Sequence, residues 1–255
     1  MKNFTLAHRA LLGLAALAAA GTAHGSSVSY SFSSGTRAAS ANFAVTAGQL
    51  VVTLTNTSSY DVLVPTDVLT AVYFDWQAPP IYPGGFIPVS AVLGAGSIVY
   101  NGPQPADGNV GGEWAYSGVS GSVTPGISST GLSAYGPGDL FGGPNLQGPA
   151  SPGGLQYGIA SAGDNPATGN GGVMGNALIR NQVIFTLNPN QAIDATFLQR
   201  LLNVRVQYGT SASEPSFTLD PLTVIPLPPA AWAGLSTLAG VGLIGFVRRR
   251  KNAAQ

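Results

Sequence analysis

The chain contains no cysteine. No disulfide braces the fold, and no thiolate is available as nucleophile or metal ligand. Its two histidines, His8 and His24, both lie in the first 25 residues, and between Ser26 and Val224 there is neither histidine nor lysine. Ser-His-Asp, Cys-His, Ser-Lys and Schiff-base mechanisms each lack a required residue in that stretch, and a zinc site of the Cys/His type is excluded there. Lys-Asn isopeptide staples are excluded for the same reason. A domain of this length can fold without disulfides, so their absence does not argue against export.

Charge is scarce as well. Only 8% of residues are charged, against about 25% in an ordinary soluble domain. All ten acids lie between Asp61 and Asp220, whereas six of the ten bases sit at the two ends: Lys2, Arg9, Arg248, Arg249, Arg250 and Lys251. The body keeps only Arg37, Arg180, Arg200 and Arg205, so four bases against ten acids leave it at −6. That balance gives no footprint for nucleic acid, which is not expected as a partner.

Turn formers are abundant, with 35 glycines and 19 prolines in 255 residues. Such a chain favours short strands and turns over helices. Alternating or β-rich runs recur at 28–33, 41–47, 50–55, 68–76, 98–100, 182–187, 204–208 and 217–219, bounded by turn signals such as Ala47-Gly48, Asn56-Thr57-Ser58 and Asn188-Pro189-Asn190. The expectation is an all-β fold, a β-sandwich or jelly roll with long Gly-rich loops. Leu50 to Thr57 is the clearest strand, with Val52 and Leu54 facing one way and Val51, Thr53 and Thr55 the other. Val52, Leu54, Val72, Phe74, Val183, Phe185, Leu187 and Val206 are the expected core, and one short helix is predicted over 192–202 with Ile193, Phe197 and Leu201 on one face. Residues 101–175 hold 21 glycines and four charges, yet Trp114, Tyr116, Tyr135, Phe141 and Tyr157 are spread through them. Aromatics at that density predict ordered loops and short strands packed on the sandwich.

The two ends have a different character. Lys2 and Arg9 precede or open an apolar stretch, Ala10 to Ala20, followed by small residues up to Ala23-His24-Gly25. This is the pattern of a secretory signal over residues 1–25, cleaved between Gly25 and Ser26, with cleavage after Ala23 as the alternative. The stretch is too short for a span, at about 16 Å against a ~30 Å hydrocarbon core. Ala230 to Val247 is uncharged and, as a helix, about 27 Å long, enough to cross a membrane. Arg248, Arg249, Arg250 and Lys251 follow at once. The positive-inside rule sets residues 248–255 in the cytoplasm and the 26–224 body outside. Immediately before the span, 225–229, lie Pro226, Leu227 and Pro228 with Pro229 behind them. Prolines fix φ and remove donors, so this stretch is expected to be extended and accessible, as a protease recognition strand must be.

In that order of parts, the last thirty residues resemble the PEP-CTERM sorting signal of exosortase substrates in Gram-negative bacteria. Pro226-Leu227-Pro228 has Leu where the family has Glu, and Ile225-Pro226-Leu227-Pro228-Pro229 is closer to the Val-Pro-Leu-Pro-Ala variant. The body also resembles a group of exosortase-dependent surface proteins, through Asp61-Val62-Leu63-Val64-Pro65-Thr66-Asp67-Val68-Leu69-Thr70 and Tyr208-Gly209-Thr210-Ser211-Ala212-Ser213-Glu214-Pro215. The resemblance implies signal peptidase and exosortase as processing partners and the inner membrane as a station before the cell surface or extracellular matrix. Exopolysaccharide is a further partner it suggests. It implies no activity.

Carboxylates are the only conventional catalytic groups left in the body. Asp61, Asp67, Asp75, Glu113 and Glu214 are candidates for a glycosidase pair, which needs a separation of ~5–9 Å, but no spacing selects two of them; turn and cap roles account for most acids of this kind. No cofactor is expected. Calcium is the one ion with hard ligands on offer, at Asp107-Gly108-Asn109 with Glu113, or at Asp164-Asn165 with Asn170, though neither follows the twelve-residue loop pattern. Asn56-Thr57-Ser58 is a glycosylation sequon that a turn explains equally well. Trp76, Tyr82, Trp114 and Tyr116 could stack on sugars, or fill the core. The expected role is a non-catalytic, exported surface or matrix protein, with a carbohydrate-binding module, and then a carboxylate-based glycan hydrolase, as alternatives.

Overall fold

The computed structural model describes residues 26–77, 85–118 and 125–222. The expected signal peptide with Gly25, the motif Pro226, Leu227 and Pro228, the 230–247 span and Arg248, Arg249, Arg250 and Lys251 lie outside the described residues, as does Tyr82. Among the described residues no helix is long and apolar enough to cross a membrane.

The fold is all-β and sandwich-like. The strands are β1 (Ser27–Ser34), β2 (Arg37–Thr46), β3 (Gln49–Asn56), β4 (Leu69–Trp76), β5 (Phe86–Leu93), β6 (Ile98–Tyr100), β7 (Ala115–Ser117), β8 (Gly126–Ser128), β9 (Ile159–Ala160), β10 (Leu178–Arg180), β11 (Gln182–Pro189), β12 (Leu201–Tyr208), β13 (Ser216–Thr218) and β14 (Asp220–Pro221). One sheet runs β14-β1-β2-β3-β11-β5 and is antiparallel throughout. The other runs β13-β12-β4-β9-β10-β6, with β8 and then β7 added beside β4, and is mixed because β9 and β10 pair in parallel.

Local chemistry accounts for the first meander. Ala47 and Gly48 have φ of 52° and 78° between the paired ends Thr46 and Gln49. Two positive φ values in a two-residue loop match the twist of the strands it joins. Period-2 alternation then buries Leu50, Val52 and Leu54 of β3 and Val183, Phe185 and Leu187 of β11 on one face. These side chains meet the second sheet in one shared core that also contains Val72, Phe74 and Val206. Edge-to-face rings tie the layers: Phe43 of β2 lies 5.2 Å from Phe74 of β4, and Phe32 of β1 lies 6.1 Å from Tyr208 of β12.

The Gly-rich middle is built into this core. Trp114 packs 5.0 Å from Phe185, Phe141 lies 5.4 Å from the same ring, and Tyr116, Tyr135 and Tyr157 are buried. Close backbone approach requires glycine at Gly111 and Gly112, where a Cβ would collide with the carbonyls of Gly142 and Pro144. A second, smaller apolar cluster (Ala71, Tyr73, Ala115 and Tyr135) forms on the outer face of the second sheet.

Three boundaries differ from the sequence expectation. The predicted helix over 192–202 is a short 3-10 turn, Ala195–Arg200, capped by the Asp194 side chain on Thr196 N at 2.8 Å. Leu201 already belongs to β12, and pairing with Trp76 of β4 outweighs the local helical pattern. The turn expected at Asn188-Pro189-Asn190 begins later, because Asn188 and Pro189 stay paired with Ile87 and Phe86. Strand β5 carries Pro88, which hides it from pattern reading; it lies at the sheet edge, where a missing donor is tolerated.

Phe185 is fully buried between Trp114 and Phe141. Phe185→Ala is expected to destabilise the body by about 3–5 kcal/mol, read as a lower urea midpoint at unchanged slope. Gly112→Ala is expected to cost about 1–3 kcal/mol by overpacking against Pro144, in the same assay.

Candidate functional site

The two body segments that carry the family resemblance are far apart in the chain but adjacent in the fold. The 61–70 segment ends in β4 and the 208–215 segment follows β12, and those strands pair. Gly209 N donates to Val68 O at 2.9 Å, and Thr70 Oγ1 donates to Gly209 O at 2.5 Å. Arg37 ties β2 to this turn: its Nε donates to Thr66 O at 2.8 Å and its Nη2 pairs with Asp67 at 2.7 Å. The second Asp67 oxygen accepts from Leu63 N and Val64 N, each at 3.3 Å. Across the turn, Glu214 accepts from Thr210 N at 2.5 Å and Ser211 N at 2.7 Å. The buried Gln207 amide nitrogen lies within reach of four carbonyls (Tyr208, Ser211, Glu214 and Pro215) and closes the loop from inside.

A second constellation joins the 61–64 and 161–170 loops. Buried Asp164 accepts from Val62 N at 2.7 Å and from the Tyr100 hydroxyl. Arg180 donates to Asp164 O at 2.9 Å and lies 5.9 Å from the Tyr100 ring centroid. Burial first, and then the Asp164 hydrogen bond, push the Tyr100 hydroxyl well above the ordinary phenol range. Asp61 accepts from Asn165 N at 3.2 Å and Thr168 Oγ1 at 3.1 Å.

The third is Glu113, a fully buried carboxylate. It accepts from Leu146 N, from Gln147 N at 3.3 Å and from Ser151 Oγ, whose oxygen in turn accepts from Gln156 Nε2 at 3.2 Å. Charge-assisted bonds to backbone amides substitute for a cation here.

Of the carboxylates expected as a catalytic pair, Asp61, Asp67, Glu113 and Glu214 are therefore each engaged as clamps on backbone amides. Asp75 is the exception: among the described residues it accepts only from the Asn203 side chain, at 3.2 Å. The calcium candidates are engaged in the same local way. Asn109 accepts from Gly111 N at 2.8 Å, Asn165 from Ala167 N at 3.1 Å and Asn170 from Gly172 N at 2.9 Å, while Glu113 is committed to the 146–151 loop. Among the described residues no group of three or more acidic, histidine or cysteine side chains could hold a metal ion.

Burial decides two alternatives that the sequence left open. Trp114 and Tyr116 are core residues, so they offer no platform to a sugar; Trp76 is half-buried against Phe86 at 5.3 Å. The sequon asparagine, Asn56, is buried with its Nδ2 donating to Ile159 O at 3.0 Å, which leaves no accessible amide for glycosylation in the folded chain. The residues that pattern reading missed are Asn203, Arg205 and Thr218, which join Asp75 on the outer face of the second sheet. The alternation of β12 hinted at Arg205; a bulge hid Asn203.

No protein family, curated protein or solved structure matches the chain, which leaves the geometry and the sequence patterns as the basis for a functional reading.

Burial holds the phenols of Tyr73, Tyr100, Tyr116, Tyr135 and Tyr208 above their ordinary value and pushes Tyr157 up to about 12. The unfolded chain ionises at the ordinary phenol pKa and the folded one resists, so this stabilisation is complete below about pH 10 and is lost as pH rises through the folded values. The urea midpoint is expected to fall steeply above about pH 10, with the absorbance of these six phenols as phenolate appearing together with unfolding rather than before it.

Proposed function

We propose that this chain is an exported bacterial protein, sorted by an exosortase to the cell surface or extracellular matrix, with a non-catalytic structural or interaction role there. The observation that carries the proposal is the constellation at the end of the chain: Pro226-Leu227-Pro228, the uncharged stretch 230–247, and Arg248-Arg249-Arg250-Lys251. An apolar segment of that length is at home in hydrocarbon, and four consecutive cations resist crossing it. The leader pattern over 1–25 predicts the same topology independently. In this reading, signal peptidase cuts between Gly25 and Ser26. The body folds in the periplasm while 230–247 stays in the inner membrane, and cleavage near Pro226–Pro229 frees it for the surface, with exopolysaccharide as a candidate neighbour.

Two features of the body support the reading. Val45 N donates to Ser26 O and Leu222 N donates to Ser29 O, so the chain enters and leaves the sandwich side by side at β1, a geometry suited to a body carried on one stalk. Most of the acids are engaged in holding loops, which fits a protein whose work is to present a rigid surface.

Intact-mass analysis of protein isolated from its native host is expected to find mature chains that begin at Ser26 and lack everything after Pro229. Retention of Arg248 to Gln255 on most molecules would contradict the processing step.

A further inference from the structure

We infer that the outer face of the second sheet carries a binding site for a neutral saccharide, formed by Asp75 of β4, Asn203 and Arg205 of β12 and Thr218 of β13. These four side chains line a groove of about 300 Å³, at the small end of the range for ligand sites.

The backbone register builds the site. Arg205 lies opposite Tyr73 on one side and Thr218 on the other, so three neighbouring strands contribute one row. Asp75, two residues along β4 from Tyr73, faces the same way and begins the next row. The pairing of β12 with β4 slips between Leu202 and Arg205, and Asn203 in that bulge has φ of 50°. A bulge aims an extra side chain out of the ladder, and a non-glycine residue at positive φ persists only where its surroundings hold it. Here the bulge brings Asn203 Nδ2 to 3.2 Å from Asp75.

The polar groups left over define the ligand. The Arg205 guanidinium lies 4.5 Å from the Tyr73 ring centroid. Among the described residues it has no ion pair and no hydrogen bond to protein. A guanidinium laid on a ring keeps its N–H edges for a ligand. Next to those donors stands the carboxylate of Asp75, an acceptor with capacity beyond its bond to Asn203. Donor edge and acceptor edge side by side match a vicinal diol, in which one hydroxyl donates to Asp75 while its neighbour accepts from Arg205 or Asn203.

Other ligand classes fit poorly. A metal ion would find a single carboxylate beside a cation. A phosphate or carboxylate would meet Asp75 on a body of net charge −6. A β-strand ligand would pair along the free edge of β13, whereas these four side chains stand on the face of the sheet. An apolar ligand would meet a lining made of four polar or charged side chains. Every residue of the site belongs to the β-body, so the assignment does not depend on the sorting proposal.

The test is isothermal titration of the full chain, in a non-glycosidic detergent, with maltohexaose, cellohexaose and mannohexaose, and with hexaguluronate as the acidic counterpart. At least one neutral hexaose is expected to saturate with Kd in the range of about 0.1–1 mM. Asn203→Gly, which suits the positive φ, and Arg205→Lys, which keeps the charge, are each expected to weaken it by about tenfold with an unchanged circular dichroism spectrum and Tm. Absence of heat with every neutral hexaose, binding of hexaguluronate alone, or neutral binding that both variants leave intact would overturn the site.

Discussion

Carboxylates bonded to backbone amides are the interaction on which the long loops of this protein depend. Nearly half of the described chain is turn and loop, and a buried turn leaves amides without partners. Lysine is absent from the body, and Arg37–Asp67 is the one ion pair among the described residues. The acids are thus free to serve the backbone: Asp61, Asp67, Glu113, Asp139, Asp164, Asp194 and Glu214 each accept at least one amide hydrogen bond. For the buried clamps, Glu113 and Asp164, a hydrogen bond to a charged group contributes about 1.5–3 kcal/mol, so such clamps can order loops that regular pairing does not reach. Glu113 is the extreme case, fully buried and held only by neutral donors.

The clamped loops matter because they complete the hydrophobic core. Trp114 and Phe141, both from the Gly-rich middle, close over Phe185 of β11, and Tyr157 is buried with its hydroxyl donating to Pro103 O at 3.2 Å. β11 in turn lies between β3 and β5, which precede it by many residues. The first sheet is therefore finished only when a segment from beyond the whole middle returns to it. Core and loops form one cooperative object, and its outer surface is left to the few polar side chains that no loop recruits, Arg205 among them.

Much of this was legible in the chain itself. Period-2 alternation located β3, β4 and β11 and named Val52, Leu54, Phe74, Val183, Phe185, Leu187 and Val206, all of which are buried. Aromatic density in the Gly-rich middle pointed to ordered packing, and Trp114 and Tyr157 are fully buried. Legibility failed where a local signal competed with distant pairing. Ile193, Phe197 and Leu201 are buried as their spacing suggested, but Leu201 is held in a strand by Trp76, 125 positions earlier. Pro88 masked β5 because proline argues against a strand everywhere except an edge, and nothing local says that β5 is one.

The candidate sites divide along the same line. Composition alone removed thiol, imidazole and amine chemistry from the body, because an absent residue is absent in any fold, and the proposed sorting reading rests on apolar length and cation order, which are properties of the chain in one dimension. Which acids are occupied, and which are not, belongs to three dimensions. Asp75 and Asp67 look equivalent as letters, yet Asp67 closes a turn with Arg37 while Asp75 faces outward beside a bulged Asn203. Only the register of β4, β12 and β13 sets Asp75, Asn203, Arg205 and Thr218 around one groove, because side-chain direction on a sheet follows from pairing and bulges rather than from residue identity.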